Sequence, residues 1–161
     1  MFEIPQYSRL LNCPNNVVHG RLNIPASTVP FDFVVPDGVY IMWVSLFGSG
    51  GSSDSVPKPG AGGAQLYKFA VYVQPGMPVS IVSAVVGGAP FSGASGNAST
   101  FTGGGYSLSA GGGSGPGTGI PGTLSVKTPD GAAFNAADYP SSAGLSGVGG
   151  SDENGFATLE W

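Results

Sequence analysis

The 161-residue sequence predicts an all-β domain, a β-sandwich or jelly-roll-like arrangement with glycine-rich loops behind an extended N-terminal arm. Three features predict it. Residues 39–47, VYIMWVSLF, form an uncharged run of β-branched and aromatic residues that ends at a glycine tract, too short for a typical helix and well suited to a pleated strand. Two other segments, QLYKFAVYVQ and GFATLEW, alternate between faces with the two-residue period of a strand. The chain also carries 29 Gly and 14 Pro, which punctuate it at short intervals.

In chain order, residues 1–30 hold prolines at positions 5, 14, 25 and 30 and one glycine, Gly20, among scattered apolar residues. Prolines at that spacing prevent a long helix and favour extended backbone. The segment reads as an arm that lies in a groove on a partner, with Phe2, Ile4, Tyr7, Leu10, Leu11, Val17, Val18, Leu22 and Ile24 as contact residues. The competing reading is an outer strand on the domain's own sheet, where proline is tolerated. Residues 31–161 form the glycine-rich β domain.

Residues 31–35 and 39–47 read as two strands around the turn residues Pro36, Asp37 and Gly38, antiparallel if that turn is tight. The second is expected to be buried on both faces, with Val39, Ile41, Trp43 and Phe47 on one and Tyr40, Met42, Val44 and Leu46 on the other. Residues 65–74 are a strand with Tyr67, Phe69, Val71 and Val73 on one face, and Pro75-Gly76 turns it into a strand at 77–86, as a hairpin. Short strands at 99–102 and 106–110 are joined by three glycines, 123–128 is another strand, and 155–161 closes the domain.

Of the 29 glycines, 26 lie between positions 48 and 150, and several are three apart (48/51, 60/63, 93/96, 144/147 and 147/150). Three residues make one turn of the extended left-handed helix in which glycine permits close packing, so some tracts are candidate polyglycine II segments. Plain flexible loops satisfy the composition equally well.

Composition narrows the function. With nine acids, five bases and a net charge of −4, the chain offers nothing to nucleic acid, and no apolar run is long enough to span a bilayer as a helix. The single cysteine, Cys13, suits synthesis in a reducing cytoplasm, and the N-terminus lacks the pattern of a cleaved signal peptide. His19 is the only histidine and has no acidic neighbour in sequence, so a surface or partner contact is the better reading than catalysis. Asp152-Glu153 is a solvated pair before it is a calcium site. Neither Gly48-Ser49-Gly50-Gly51 nor Gly115-Pro116-Gly117-Thr118-Gly119 leads into a helix, as a phosphate loop would. The expectation is a protein without catalytic residues, metal or cofactor. Phe91, Phe101, Tyr106 and Tyr139 fall among glycines, either as rings presented for recognition or as plugs that pin loops to the sheets.

The order FVVPDGVYIMWVSLFGSGG, GAGGAQLYKFAVYVQPGMPVSIVSAVVGG, SGASGNASTF, LSAGGGSG and ENGFATLEW resembles the glycine-rich β domain of bacteriophage tail-fibre and other virion structural proteins. The likeness covers residues 31–161. It departs from the family pattern at the proline-interrupted tract GPGTGIPG and in standing behind a short arm. The resemblance implies a virion protein made in the host cytoplasm, with other capsid or tail proteins as partners and a possible host surface receptor; apolar strands covered on both sides in so small a domain point to a homo-oligomer such as a trimer. A capsid decoration or cement protein is the simplest form, and a small tail-fibre or tail-tip protein that recognises the host through its loops is the alternative.

Overall fold

The computed structural model describes residues 19–53, 60–85, 92–115, 120–132, 134 and 154–161. Within them nine strands form two antiparallel sheets: β1 (Arg21–Ile24), β2 (Phe31–Val34), β3 (Ile41–Phe47), β4 (Gln65–Tyr72), β5 (Pro78–Val82), β6 (Ser99–Gly103), β7 (Tyr106–Ala110), β8 (Leu124–Lys127) and β9 (Phe156–Glu160). The four-stranded sheet has the order β1-β9-β3-β4 and the five-stranded sheet the order β2-β5-β6-β7-β8. Their facing sides bury Met42, Val44, Leu46, Leu66, Val71 and Leu159 against Val79, Ile81, Phe101 and Leu108, an apolar core of the β-sandwich kind.

The expected hairpin at Pro75-Gly76, like the turn at Pro36-Asp37-Gly38, is instead a crossing between the sheets. β2 pairs with β5, whereas β3 pairs with β4 and β9. Both segments do turn, and the turn geometry explains why the strands part. In the second turn, Pro75 and Gly76 take the central positions, with Gly76 at φ 79° and Met77 N donating to Gln74 O at 3.1 Å. That is a type II arrangement, whose twist splays adjoining strands rather than pairing them. The two crossings lie against each other: Val35 N donates to Met77 O (3.0 Å), Gly76 N to Val35 O (2.9 Å) and Val73 N to Tyr40 O (3.0 Å). The β6–β7 connection behaves differently. Gly104 and Gly105 both have positive φ, 60° and 79°, as a two-residue hairpin turn of the primed type requires, and β6 and β7 are paired from Gly103↔Tyr106 to Ser99↔Ala110.

β3 is buried on both faces only in its second half. Ile41 and Trp43 are 38% and 40% exposed, while Val44 to Phe47 are all buried. β4 departs from simple alternation because the register with β3 shifts between Val44 and Leu46, with Lys68 at φ 50° and its N donating to Ser45 Oγ at 3.0 Å. One extra residue reverses the facing of everything before it. Leu66 therefore points into the core and Tyr67 points out, the reverse of the expected assignment.

The glycine segments that leave β3, return to β4, return to β6, leave β7 and return to β8 are bonded to one another through their backbones. Gly48 N and Gly51 N donate to Ala64 O and Ala61 O; Ser49 N and Ser52 N donate to Asn97 O and Ala94 O; Ala61 N and Ala64 N donate to Ser114 O and Gly111 O; Gly111 N and Ser114 N donate to Thr123 O and Ile120 O. In each of these four pairs the donors are three residues apart and share one neighbouring segment. A three-residue repeat of bond direction is the spacing that one turn of an extended three-fold helix would give. The spacing leaves no room for side chains: a Cβ on Gly113 would fall on Ala61 O, and one on Gly48 on Gly111 O. Two serines on the segment leaving β3 add a second bond to the same neighbour. Ser49 Oγ accepts from Asn97 N (2.7 Å) and Ser52 Oγ from Ala94 N (2.8 Å), and both serines are fully buried.

Candidate functional site

The outer face of the four-stranded sheet carries an open cleft of about 550 Å³ lined by His19, Gly20, Arg21, Trp43, Lys68, Glu160 and Trp161. Strand order builds it. Because β9 lies between β1 and β3, Glu160 is opposite both Arg21 and Trp43. The chain continues this pairing one residue beyond the strands, with Gly20 N donating to Trp161 O (2.8 Å) and Trp161 N to Gly20 O (3.0 Å). Gly20 is required there, since the Trp161 indole occupies the place a Cβ would take. The indole also meets Phe33 of β2, with ring centroids 5.2 Å apart, which holds it to the second sheet.

Lys68 reaches the cleft from the β4 bulge, and its Nζ lies 2.9 Å from Glu160 Oε2. Arg21 Nε is 3.8 Å from Glu160 Oε1 and donates to Asn23 Oδ1 at 3.2 Å. The hydrogen bond to Glu160, and then its charge, raise the Lys68 pKa above its ordinary value of 10.5. These contacts are solvated and add little to stability. They do fix a carboxylate between two cations beside an indole.

The residues expected from sequence as contacts are distributed differently. Phe2, Ile4, Tyr7, Leu10, Leu11, Val17 and Val18 lie outside the described residues, as do Phe91 and Tyr139. Leu22 and Ile24, placed in the arm, belong to β1, paired with Leu159 and Ala157. Ile24 is 4% exposed and Leu22 is partly buried against the core, so both side chains pack on the domain's own interior. This part of the arm takes the edge-strand alternative. Phe101 is 0% exposed, at the centre of the five-stranded sheet, and is not a loop ring at all. Tyr106 is half-buried, its ring edge-on to Phe69 at 6.3 Å.

Sequence reasoning missed Trp43, Trp161, Arg21, Lys68 and Glu160. A signal existed: Lys68 and Glu160 are lone opposite charges in otherwise uncharged strands. The register that joins them required β9 to insert between β1 and β3. Among the described residues no group of three or more His, Cys, Asp and Glu is placed to hold a metal ion. What the fold and cleft define is a two-sheet β protein with a glycine backbone lattice at one end and an aromatic, charged cleft on an outer face. No protein-family model and no curated protein matches the chain.

Proposed function

We propose that this chain is a non-enzymatic structural protein on the exterior of a bacteriophage particle, most simply a capsid decoration or cement protein, anchored through its N-terminal residues. The observation that supports this most is the backbone lattice of the glycine segments, in which bonds recur every three residues between neighbours distant in sequence. Such packing joins segments distant in sequence largely through backbone and asks nothing of reactive side chains. That suits an exterior structural component, and the reading is also supported by the resemblance of the motif order to that of glycine-rich virion domains. In this reading copies associate with each other and with capsid or tail proteins.

Quantifying copies per purified particle tests the proposal. Hundreds of copies accord with decoration; a few at a tail favour the second reading, a tail-fibre or tail-tip protein that contacts the host surface. Absence from particles overturns both. Anchoring is tested separately by removing residues 2–18, which leaves β1 intact; unchanged incorporation would refute the anchor. The second reading draws on the cleft, whose exposed Trp43 is the kind of rigid amphipathic ring that serves recognition.

A further inference from the structure

The chain concentrates its scarce chemistry at one place. Both of its tryptophans, its only histidine and two of its five Lys and Arg residues line the same cleft, although only 9% of the chain is charged. A volume of about 550 Å³ is that of a small-molecule site. We propose that this cleft binds an acidic saccharide, with a sugar ring laid on the Trp43 indole, hydroxyls on Glu160, and the acid group on Arg21 and Lys68. The inference goes beyond the structural role above and stands whether or not the protein belongs to a particle.

Each group favours that ligand class. A pyranose has a flat face of C–H groups rimmed by hydroxyls. Trp43, 40% exposed on the outside of β3, is an aromatic ring whose faces carry the negative quadrupole to which such C–H groups are drawn. Glu160 is held from one side by Lys68 at 2.9 Å, yet a carboxylate has about four acceptor positions, enough for a pair of vicinal hydroxyls as well. A wholly apolar ligand would strip water from three charged groups without replacing their hydrogen bonds. Cations favour the acid: two of the five Lys and Arg residues in the chain, Arg21 and Lys68, line this one cleft. Arg21 is the more available of the two cations, its side chain 63% exposed and only loosely engaged with Glu160 at 3.8 Å. A nucleobase gains most from enclosure on both faces, and this cleft is open.

The test applies the full-length protein to immobilised saccharides carrying uronate, sialate or phosphate groups, printed beside their neutral parents. The strongest binder is then titrated in solution by tryptophan fluorescence, with adenosine monophosphate as a comparison. Saturable binding to an acidic saccharide is expected, weakened at least tenfold by Trp43→Ala, partly restored by Trp43→Phe, and lowered by Arg21→Gln toward that of the neutral parent. Thermal unfolding of each variant at the wild-type temperature keeps a folding defect from imitating lost binding. No saturable binding to any acidic saccharide overturns the proposal, as does binding indifferent to Trp43→Ala or tighter binding of the nucleotide. Acrylamide quenching without sugar closes the remaining routes. A Trp43 shielded at all protein concentrations means that residues 1–18 occupy the cleft, and shielding that grows with concentration means a second copy does; either result overturns it.

Discussion

The sandwich and the glycine lattice are two solutions to packing in one chain, and they fail in opposite directions. Between the sheets the space is filled by side chains such as Phe101, Met42 and Leu66, all fully buried, and stability comes from apolar surface withdrawn from water. Between the glycine segments there are almost no side chains to withdraw. Carbonyl oxygens of Gly111 and Ala61 stand where the Cβ atoms of Gly48 and Gly113 would be. The sandwich is therefore weakened by removing atoms, and the glycine positions of the lattice by adding them.

The largest expected effect is on the sandwich side. Phe101→Ala empties the centre of the five-stranded sheet and is expected to cost about 3–5 kcal/mol in chemical denaturation. Gly113→Ala adds one methyl against the Ala61 carbonyl, and the expected loss is about 1–3 kcal/mol, the range of an overpacked site. The contrast sharpens with Gly131→Ala, where nothing lies within 4 Å of a new Cβ and only the φ of 69° opposes it. If Gly113→Ala is no worse than Gly131→Ala, the lattice is looser than its hydrogen bonds imply. Ser49→Ala leaves the Asn97 N–H without its side-chain acceptor at 2.7 Å, for an expected loss of about 1–3 kcal/mol. Ser52→Ala should mirror it through Ala94 N, and a double variant that merely adds the two losses would indicate independent bonds.

The smallest effects are electrostatic and lie outside both regions. Asp130, in the turn after β8, has its pKa lowered from 3.8, first by a hydrogen bond from Thr128 and then by the Ala132 N–H. A depressed folded pKa contributes stability that is present above the unfolded value and is lost as pH falls through the folded one. Lys68 has the opposite sign: its pKa is raised by Glu160, so its contribution is present below 10.5 and is lost as pH rises beyond it. Unfolding of Asp130→Asn and Lys68→Gln across pH should flatten the acid and alkaline limbs respectively, by small amounts because both groups are exposed.

The strands were legible where local chemistry alone decides them. QLYKFAVYVQ alternates and is a strand; Gly103-Gly104-Gly105 supplies positive φ at two successive residues and makes a true hairpin. What the sequence left open was partnership. Pro36-Asp37-Gly38 and Pro75-Gly76 announce turns, but only the type II geometry, with glycine at the third position, reveals that the strands part. The inward facing of Leu66 was hidden by the bulge at Lys68, which no hydrophobic pattern marks. Trp43 stands in an apolar run, yet it alternates with the buried Met42 and Val44 and so faces outward, opposite Glu160 of β9. The cleft was illegible because it gathers residues from four strands whose order depends on long-range pairing.

The repeat that runs from Ser49 and Ser52 to Asn97 and Ala94 sets a rule for how such a body can change in length. One inserted residue would rotate each later N–H by roughly a third of a turn and aim it at the wrong neighbour, whereas three would restore the phase and extend the segment by about 9 Å. Growth by evolution or by engineering is then quantised in triplets, and must occur in adjoining segments together if no donor is to be stranded.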